Sequence, residues 1–375
     1  MTQTQQDLIY LLSCAVNEIE PDKEKVTAMD LERLYKFSDW HTLRAVVHIA
    51  LRSAGVNNKS FQDAYNKAVR KNTMLDLERE DIFDAFEQHG IWYLPLKGSI
   101  LKELYPEIGM REMADNDVLY NSSKQSEVKD IMLAKGYTAE SVGKTHHDVY
   151  MKPPVLNFEL HTLLFGATSD FYAYYENPKR LMKLNEDSKY GFHFSDEDFY
   201  VYMLAHEYKH FSGGGTGLRS LLDCYVFLQH KGDTLNWEYI HEQTKQLDIA
   251  GFEREQRELA NKVFSSVTFP ELTEHEQDLL DYYLTSCTYG TKTRSAENTV
   301  KKHYAKSHSK SKFSFIWARL FPDTEFMKQY YPFFYRHKLL LPVGYVWRWC
   351  KGIVTNRRKI QAEMRALRKY DNKKV

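Results

Sequence analysis

Two carboxylates, Asp115 and Asp117, flank Asn116 in the stretch "ADNDVLY". The run "DNDVLY" predicts a strand, and side chains two apart on a strand share a face, which puts both carboxylates on one side about 7 Å apart and Asn116 on the other. Ionised carboxylates this close repel, and a divalent cation relieves the repulsion. Upstream, "YLPLKGSILKELYP" predicts a short strand over Ile91 to Leu96, a turn at Lys97-Gly98-Ser99 and a short helix ended by Pro106. A turn that opens a helix offers backbone N–H groups to phosphate oxygens. Downstream, the alternation in "VLNFELHTL" sets Val155, Asn157, Glu159 and His161 on one strand face and Leu156, Phe158 and Leu160 on the other. Glu159 is thereby a third carboxylate on a neighbouring strand, and the set points to metal-assisted phosphoryl chemistry.

A competing motif lies further on. His206-Glu207-Tyr208-Lys209-His210 has the His-Glu-x-x-His form of zinc-protease helices. That chemistry needs a third ligand. The extended pattern has its glycine in Gly213, but Thr216 stands where the third histidine belongs. Packing of His206 and His210 against the next helix, where Arg219 and Asp223 form an i,i+4 pair, accounts for the same residues.

The elements that must position these groups follow from periodicity. Leu8, Leu11, Leu12, Ala15, Val16 and Ile19 recur at helical spacing, which predicts a core helix in place of a signal peptide. "DWHTLRAVVHIALRSAG" predicts a helix capped by Asp39 and stopped by Gly55, and a long helix is expected from Gln62 to His89. Strands are expected at "YTAESV", "HHDVYMK" and "VLNFELHTLL" around a helix over 123–135, and helices at 196–211, 217–231, 237–248 and 251–267. The fold class is therefore α+β, a small mixed sheet with flanking helices. It divides into an N-terminal helical region (1–90), an α/β core (91–190), a helical domain (191–300) and a basic, aromatic C-terminal region (301–375).

The 375 residues carry no net charge, but the zero conceals a polarity. Residues 301–375 hold 19 Lys and Arg against 4 Asp and Glu, and residues 1–300 hold 32 against 47, so the two parts carry +15 and −15. In "CKGIVTNRRKIQAEMRALRKYDNKKV" the basic residues alternate with Ile353, Ile360, Met364 and Leu367. This partly amphipathic basic helix is suited to a weak anionic partner or to offsetting the acidic remainder. The four cysteines are scattered, which suits a reducing, cytoplasmic compartment. The longest uncharged apolar run is nine residues, against the roughly 20 of a spanning helix.

The order of motifs resembles the DNA polymerase β-like nucleotidyltransferase superfamily. Within it, "LKGSILKELYPEIGMREMADNDVLY" is similar to an uncharacterised bacterial nucleotidyltransferase family with Leu-Lys-Gly, Tyr-Pro, Arg and Asp-x-Asp in that order. "DWHTLRAVVHIALRSAGV", "LAHEYKHFSGGGTGLRSLLDCYVFL" and "LFPDTEFMKQYYPFFYRHKLLLPVGYVWRW" are similar to its N-terminal helices, its helix pair and its C-terminal segment. The resemblance implies a Mg²⁺-dependent transfer of a nucleoside monophosphate from an NTP such as ATP to a hydroxyl acceptor, with release of pyrophosphate. It implies two Mg²⁺ ions, replaceable by Mn²⁺, on Asp115, Asp117 and Glu159. Gly98 and Ser99 would cradle phosphates, Lys97 and Arg111 would add positive charge, and His206, His210, Arg219 and Asp223 would border the nucleotide cleft. The alternatives are a non-catalytic nucleotidyltransferase-like binding protein and, more remotely, a zinc metalloprotease.

Overall fold

A computed structural model describes residues 1–306 and 311–372, in two compact units, 1–208 with 217–288 and 209–216 with 289–375. The final residues of the basic stretch, 373–375, lie outside the described residues. The first unit is built on a mixed five-stranded sheet of β1 (Tyr93–Pro95), β2 (Asn116–Tyr120), β3 (Thr138–Ser141), β4 (His147–Lys152) and β5 (Leu156–His161). Its spatial order is β1-β2-β5-β4-β3. Only the β2–β5 ladder is parallel; the others are antiparallel. The α+β class expected from the sequence is the one observed.

The period-2 alternation gives the sheet two chemically different faces. Val118, Tyr120, Tyr150, Phe158 and Leu160 join Leu75, Ile82 and Phe86 of the helix Lys59–Gln88, and Val128, Ile131 and Met132 of the helix Gln125–Ala134, in one buried apolar layer. Asp117, Glu159 and His161 stand on the opposite face. The long helix also clamps the chain entering β2. Asn72 Nδ2 donates to the Arg111 carbonyl, Lys71 Nζ to the Ala114 carbonyl, and Asn116 Nδ2 to the Leu75 carbonyl at 3.2, 2.8 and 2.8 Å. Asn116, the middle residue of the Asp-x-Asp motif, is thus an anchor to the helix.

The N-terminal helix Gln3–Val16 buries Leu8, Leu11, Leu12, Ala15 and Val16 as its spacing requires. Ile19 lies past its end and is exposed. The helix is tied to the helix Ala250–Phe264 by Ser13 Oγ and Asn17 Nδ2, which donate to the Val263 and Phe264 carbonyls. Asp39 does not cap the following helix, as the sequence suggested. It lies inside the helix Leu31–Trp40, and its carboxylate pairs with Arg44 at 2.8 Å, while the helix Arg44–Ser53 begins at Leu43 without a side-chain cap. A hairpin of β6 (Met182–Leu184) and β7 (Phe192–Phe194) was not anticipated: its strands are too short to show a period, and β1, equally short, was legible only from the β-prone run and the Lys97-Gly98-Ser99 turn around it.

The second unit is helical. Ala296, Val300, Tyr304, Phe315, Ala366 and Leu367 form its core, and Arg319 makes a bidentate pair with Glu363. Asn298 Nδ2 donates to the carbonyls of Phe211 and Gly213, each at 2.9 Å. Among the described residues no helix is long and apolar enough to cross a membrane.

Candidate active site

The parallel ladder decides which carboxylates meet. Asp117 and Glu159 are register partners across β2 and β5, so their side chains project from one face on adjacent strands. Asp115 lies just before β2, which begins at Asn116, and not within the strand as the sequence suggested. Its surroundings are nevertheless shared. Burial first, then the charges of Asp117 and Glu159, push the Asp115 carboxyl well above its ordinary range, against the opposing pull of Lys97 and Lys71. Asp117 is buried and goes the other way. Burial opposes its charge, but Lys97 and His161 outweigh that and hold it below the usual carboxylate range.

Lys97 Nζ donates to Asp117 Oδ1 at 2.5 Å, and His161 Nε2 reaches the same oxygen at 2.8 Å. Burial and the neighbouring Lys97 ammonium lower the His161 imidazole to about 4, so it is neutral at pH 7 and its contact with Asp117 is a hydrogen bond and not an ion pair. Asp117 is an acceptor only, so Nε2 carries the proton. His161 Nε2 also lies 4.0 Å from Glu159 Oε2. Tyr202, from the helix Asp196–Phe211, is buried within electrostatic reach of Lys97, Asp117 and Glu159, and its hydroxyl has no hydrogen-bond partner.

The turn before the site is conformationally unusual. Lys97 adopts φ 51° and ψ −115°, a region that non-glycine residues rarely enter. That conformation turns the chain from β1 into the single helical turn Gly98–Leu101 and aims the ammonium at Asp117. Gly98 has no room for a side chain, since an added Cβ would lie 2.4 Å from Arg111 Nη1 and 2.8 Å from Met113 Sδ. Ser99 is buried, and its hydroxyl donates to the Leu96 carbonyl at 2.8 Å, which closes the turn.

Arg111, Arg219 and Asp223 brace this arrangement. The buried Arg111 guanidinium donates to both Asp223 oxygens at 2.8 and 2.9 Å, and Tyr105 Oη donates to the same carboxylate at 2.8 Å. Asp223 therefore pairs with Arg111 and not with Arg219, the partner that helical spacing suggested. Arg219 instead donates to Thr42 Oγ1 and to the Glu112 carbonyl at 2.8 and 3.3 Å. Both residues come from the helix Leu218–Lys231 and hold the loop that leads into Asp115.

The His-Glu-x-x-His motif does not form a protease centre. Glu207 is buried, accepts from Gln256 Nε2 at 2.5 Å and from Tyr283 Oη at 3.2 Å, and is raised by burial to about 8. The residue that would act as general base is turned into the helical core. His206 packs near the Tyr202 ring, at 6.2 Å between centroids, while His210 lies in the second unit, where its carbonyl accepts from Gly213 and Gly215. Among the described residues neither histidine belongs to a three-ligand cluster, whereas Asp117, Glu159 and His161 do. His161 was legible in the strand alternation, two residues beyond Glu159. Tyr202 carried no signal, because only the tertiary fold brings its helix to the sheet.

The residues present fit a hard divalent cation. Among the described residues the carboxylates of Asp115 and Glu159 carry no protein hydrogen bond, and Glu159 has only the 4.0 Å approach of His161. Oxygen donors without protein hydrogen bonds beside a third carboxylate suit such an ion. No curated protein and no solved structure matches the chain. A family model does, over residues 27–265, a span that takes in the whole sheet, the Lys97 turn and the bracing helix but not the C-terminal segment of the resemblance. By that match the chain belongs to the family described as uncharacterised nucleotidyltransferase and is a transferase enzyme.

Proposed function

We propose that the enzyme transfers a nucleoside monophosphate from an NTP, ATP among them, to a hydroxyl acceptor. The observation that carries this reading is the pairing of Asp117 and Glu159 across β2 and β5 beside the Lys97-Gly98-Ser99 turn, with Asp115 within electrostatic reach of both and, among the described residues, neither Asp115 nor Glu159 hydrogen-bonded to the protein. Asp115, Asp117 and Glu159 would hold Mg²⁺ or Mn²⁺. When bound, such a cation would neutralise charge on the triphosphate and polarise the acceptor oxygen. The acceptor oxygen attacks the α-phosphorus, the bond from that phosphorus to the bridging oxygen breaks, pyrophosphate leaves, and the hydroxyl proton passes to a site carboxylate.

The chain's own contribution is placement and charge. Lys97 fixes the orientation of Asp117 and lends positive charge on the side facing the turn, where Gly98 and Ser99 lie closest to incoming phosphates. Arg111 and Asp223 act as positioning residues, because the guanidinium that fills the space beside Gly98 is itself held by Asp223. Arg219 holds the loop from the other side. The free cysteines support a reducing compartment such as the cytoplasm.

The test is incubation of the full chain with Mg²⁺ and each labelled NTP, with and without cell extract, followed by pyrophosphate release and mass spectrometry of labelled products. Release with one or more nucleotides is expected. No release under any condition, with Mg²⁺-nucleotide still bound, would establish the binding-protein alternative.

A further inference from the structure

His161 faces two ways. Its Nε2 serves Asp117, but its Nδ1 is buried and has no hydrogen-bond partner, in a residue that is 3% exposed. The proton on Nε2 leaves Nδ1 with its lone pair, and a buried lone pair without a donor is desolvated for no return. Across the antiparallel β4–β5 ladder, His147 is the register partner of His161, and its Nδ1 is likewise buried without a partner. His146 completes the group. Its carbonyl accepts from Thr162 N at 2.9 Å and from Thr162 Oγ1 at 3.1 Å, and an added Cβ at Gly166 would come within 3.3 Å of its Nδ1. One imidazole nitrogen from each of the three histidines lies within 4.8 Å of the other two.

We propose that His146, His147 and His161 form a second metal site, for a borderline-soft divalent ion of the Zn²⁺ class, distinct from the carboxylate centre on the other side of the His161 ring. Three imidazoles and an open fourth position suit Zn²⁺, whereas the carboxylate oxygens suit Mg²⁺. With Zn–N bonds of about 2.0–2.1 Å, tetrahedral ligand atoms sit about 3.4 Å apart. Small rotations of His146 and His147, both only half-buried, close the remaining gap around the fixed His161. Asp117 then plays the part of the carboxylate that orients a ligating histidine through its other nitrogen. The ring packing of the three histidines, at centroid separations of 4.8, 5.2 and 5.9 Å, explains their proximity but leaves both Nδ1 atoms unsatisfied. The inference is independent of nucleotidyl transfer, since the chain can hold this ion whether or not it transfers a nucleotide.

The experiment uses the full chain, stripped with chelator, reloaded with Zn²⁺ or Co²⁺ in excess Mg²⁺, and passed through a desalting column. One equivalent of Zn²⁺ should be retained, and the Co²⁺ form should show the intense ligand-field absorption of a tetrahedral site. His146→Asn and His147→Asn should each weaken uptake by at least about tenfold, with melting curves in chelator that match the wild type. His206→Ala should leave uptake unchanged. A footprint on the wild-type chain avoids any folding defect in the variants: Zn²⁺ should protect His146 and His147 from diethyl pyrocarbonate, read by peptide mass spectrometry. No stoichiometric uptake, displacement by Mg²⁺, wild-type uptake in both variants, or unchanged reactivity of the two histidines would each overturn the site.

Discussion

Asp117 stands directly across the parallel β2–β5 ladder from Glu159. Like charges on directly neighbouring strand positions destabilise a sheet. Here Lys97 offsets one of them at 2.5 Å, and the other, Glu159, has only the 4.0 Å approach of His161. Glu159→Gln is therefore expected to raise the melting temperature slightly in chelator while lowering pyrophosphate release by about 10²-fold or more. Wild-type turnover in that variant would remove Glu159 from the metal set.

Asp115→Asn separates charge from fold in the same way. Its carboxyl is destabilised by burial and by two like charges, so the amide should leave the metal-free protein at least as stable as the wild type and abolish metal-dependent transfer. Calorimetry beside a pyrophosphate assay reads both. A stable variant with normal turnover would contradict the assignment.

Arg111 and Asp223 form a buried pair at the base of the Lys97 turn. Removing one partner strands the other charge, at a cost of about 3–5 kcal/mol, whereas an apolar double replacement is far milder. Arg111→Ala or Asp223→Ala should thus lower the denaturation midpoint sharply, and Arg111→Met with Asp223→Leu should recover much of the loss. A single variant as stable as wild type would show that the pair is not a brace.

Glu207 imposes a pH dependence. Its carboxyl keeps its proton up to about 8 in the folded chain, while the unfolded chain releases it near the ordinary glutamate value, so stability falls as pH rises from about 4.5 toward 8. Glu207→Gln keeps a neutral side chain between Gln256 and Tyr283, and should flatten that slope and gain up to a few kcal/mol at pH 8.5. Denaturant titrations at pH 5 and 8.5 measure it, and an identical pH slope in both proteins would place the charged form in the folded state.

The basic C-terminal region calls for point substitutions and not truncation, because Ala366 and Leu367 of the helix Arg357–Asn372 are in the core of the second unit. Arg357, Arg358, Lys359 and Arg365 are exposed. If they meet an anionic partner, their replacement by Ser should abolish retention on an anionic matrix, and salt raised from about 50 to 500 mM should abolish it in the wild type. Retention indifferent to both changes would mean that this charge is balanced within the protein.

Local chemistry was enough to locate the carboxylates, the Lys97-Gly98-Ser99 turn and the alternating faces of β5. Strand period and turn residues act over a few positions, and the sequence displays them directly. Element class was legible for the same reason, except at the β6–β7 hairpin, whose three-residue strands show no period. What the chain alone did not determine was partnership. Asp223 had a plausible partner one helical turn away in Arg219, yet the fold delivered Arg111 from another segment with a bidentate geometry that an i,i+4 pair seldom matches. Glu207 sat in a motif suggesting a zinc protease, and only the packing of the helices bearing Gln256 and Tyr283 showed that its carboxyl faces the core. His161 was visible beside Glu159, but its two nitrogens acquired separate surroundings only when β2 and β4 paired on either side of β5. Side-chain partners across a fold depend on which elements pack together, and that is settled by the burial of the whole apolar pattern and by no single stretch of it.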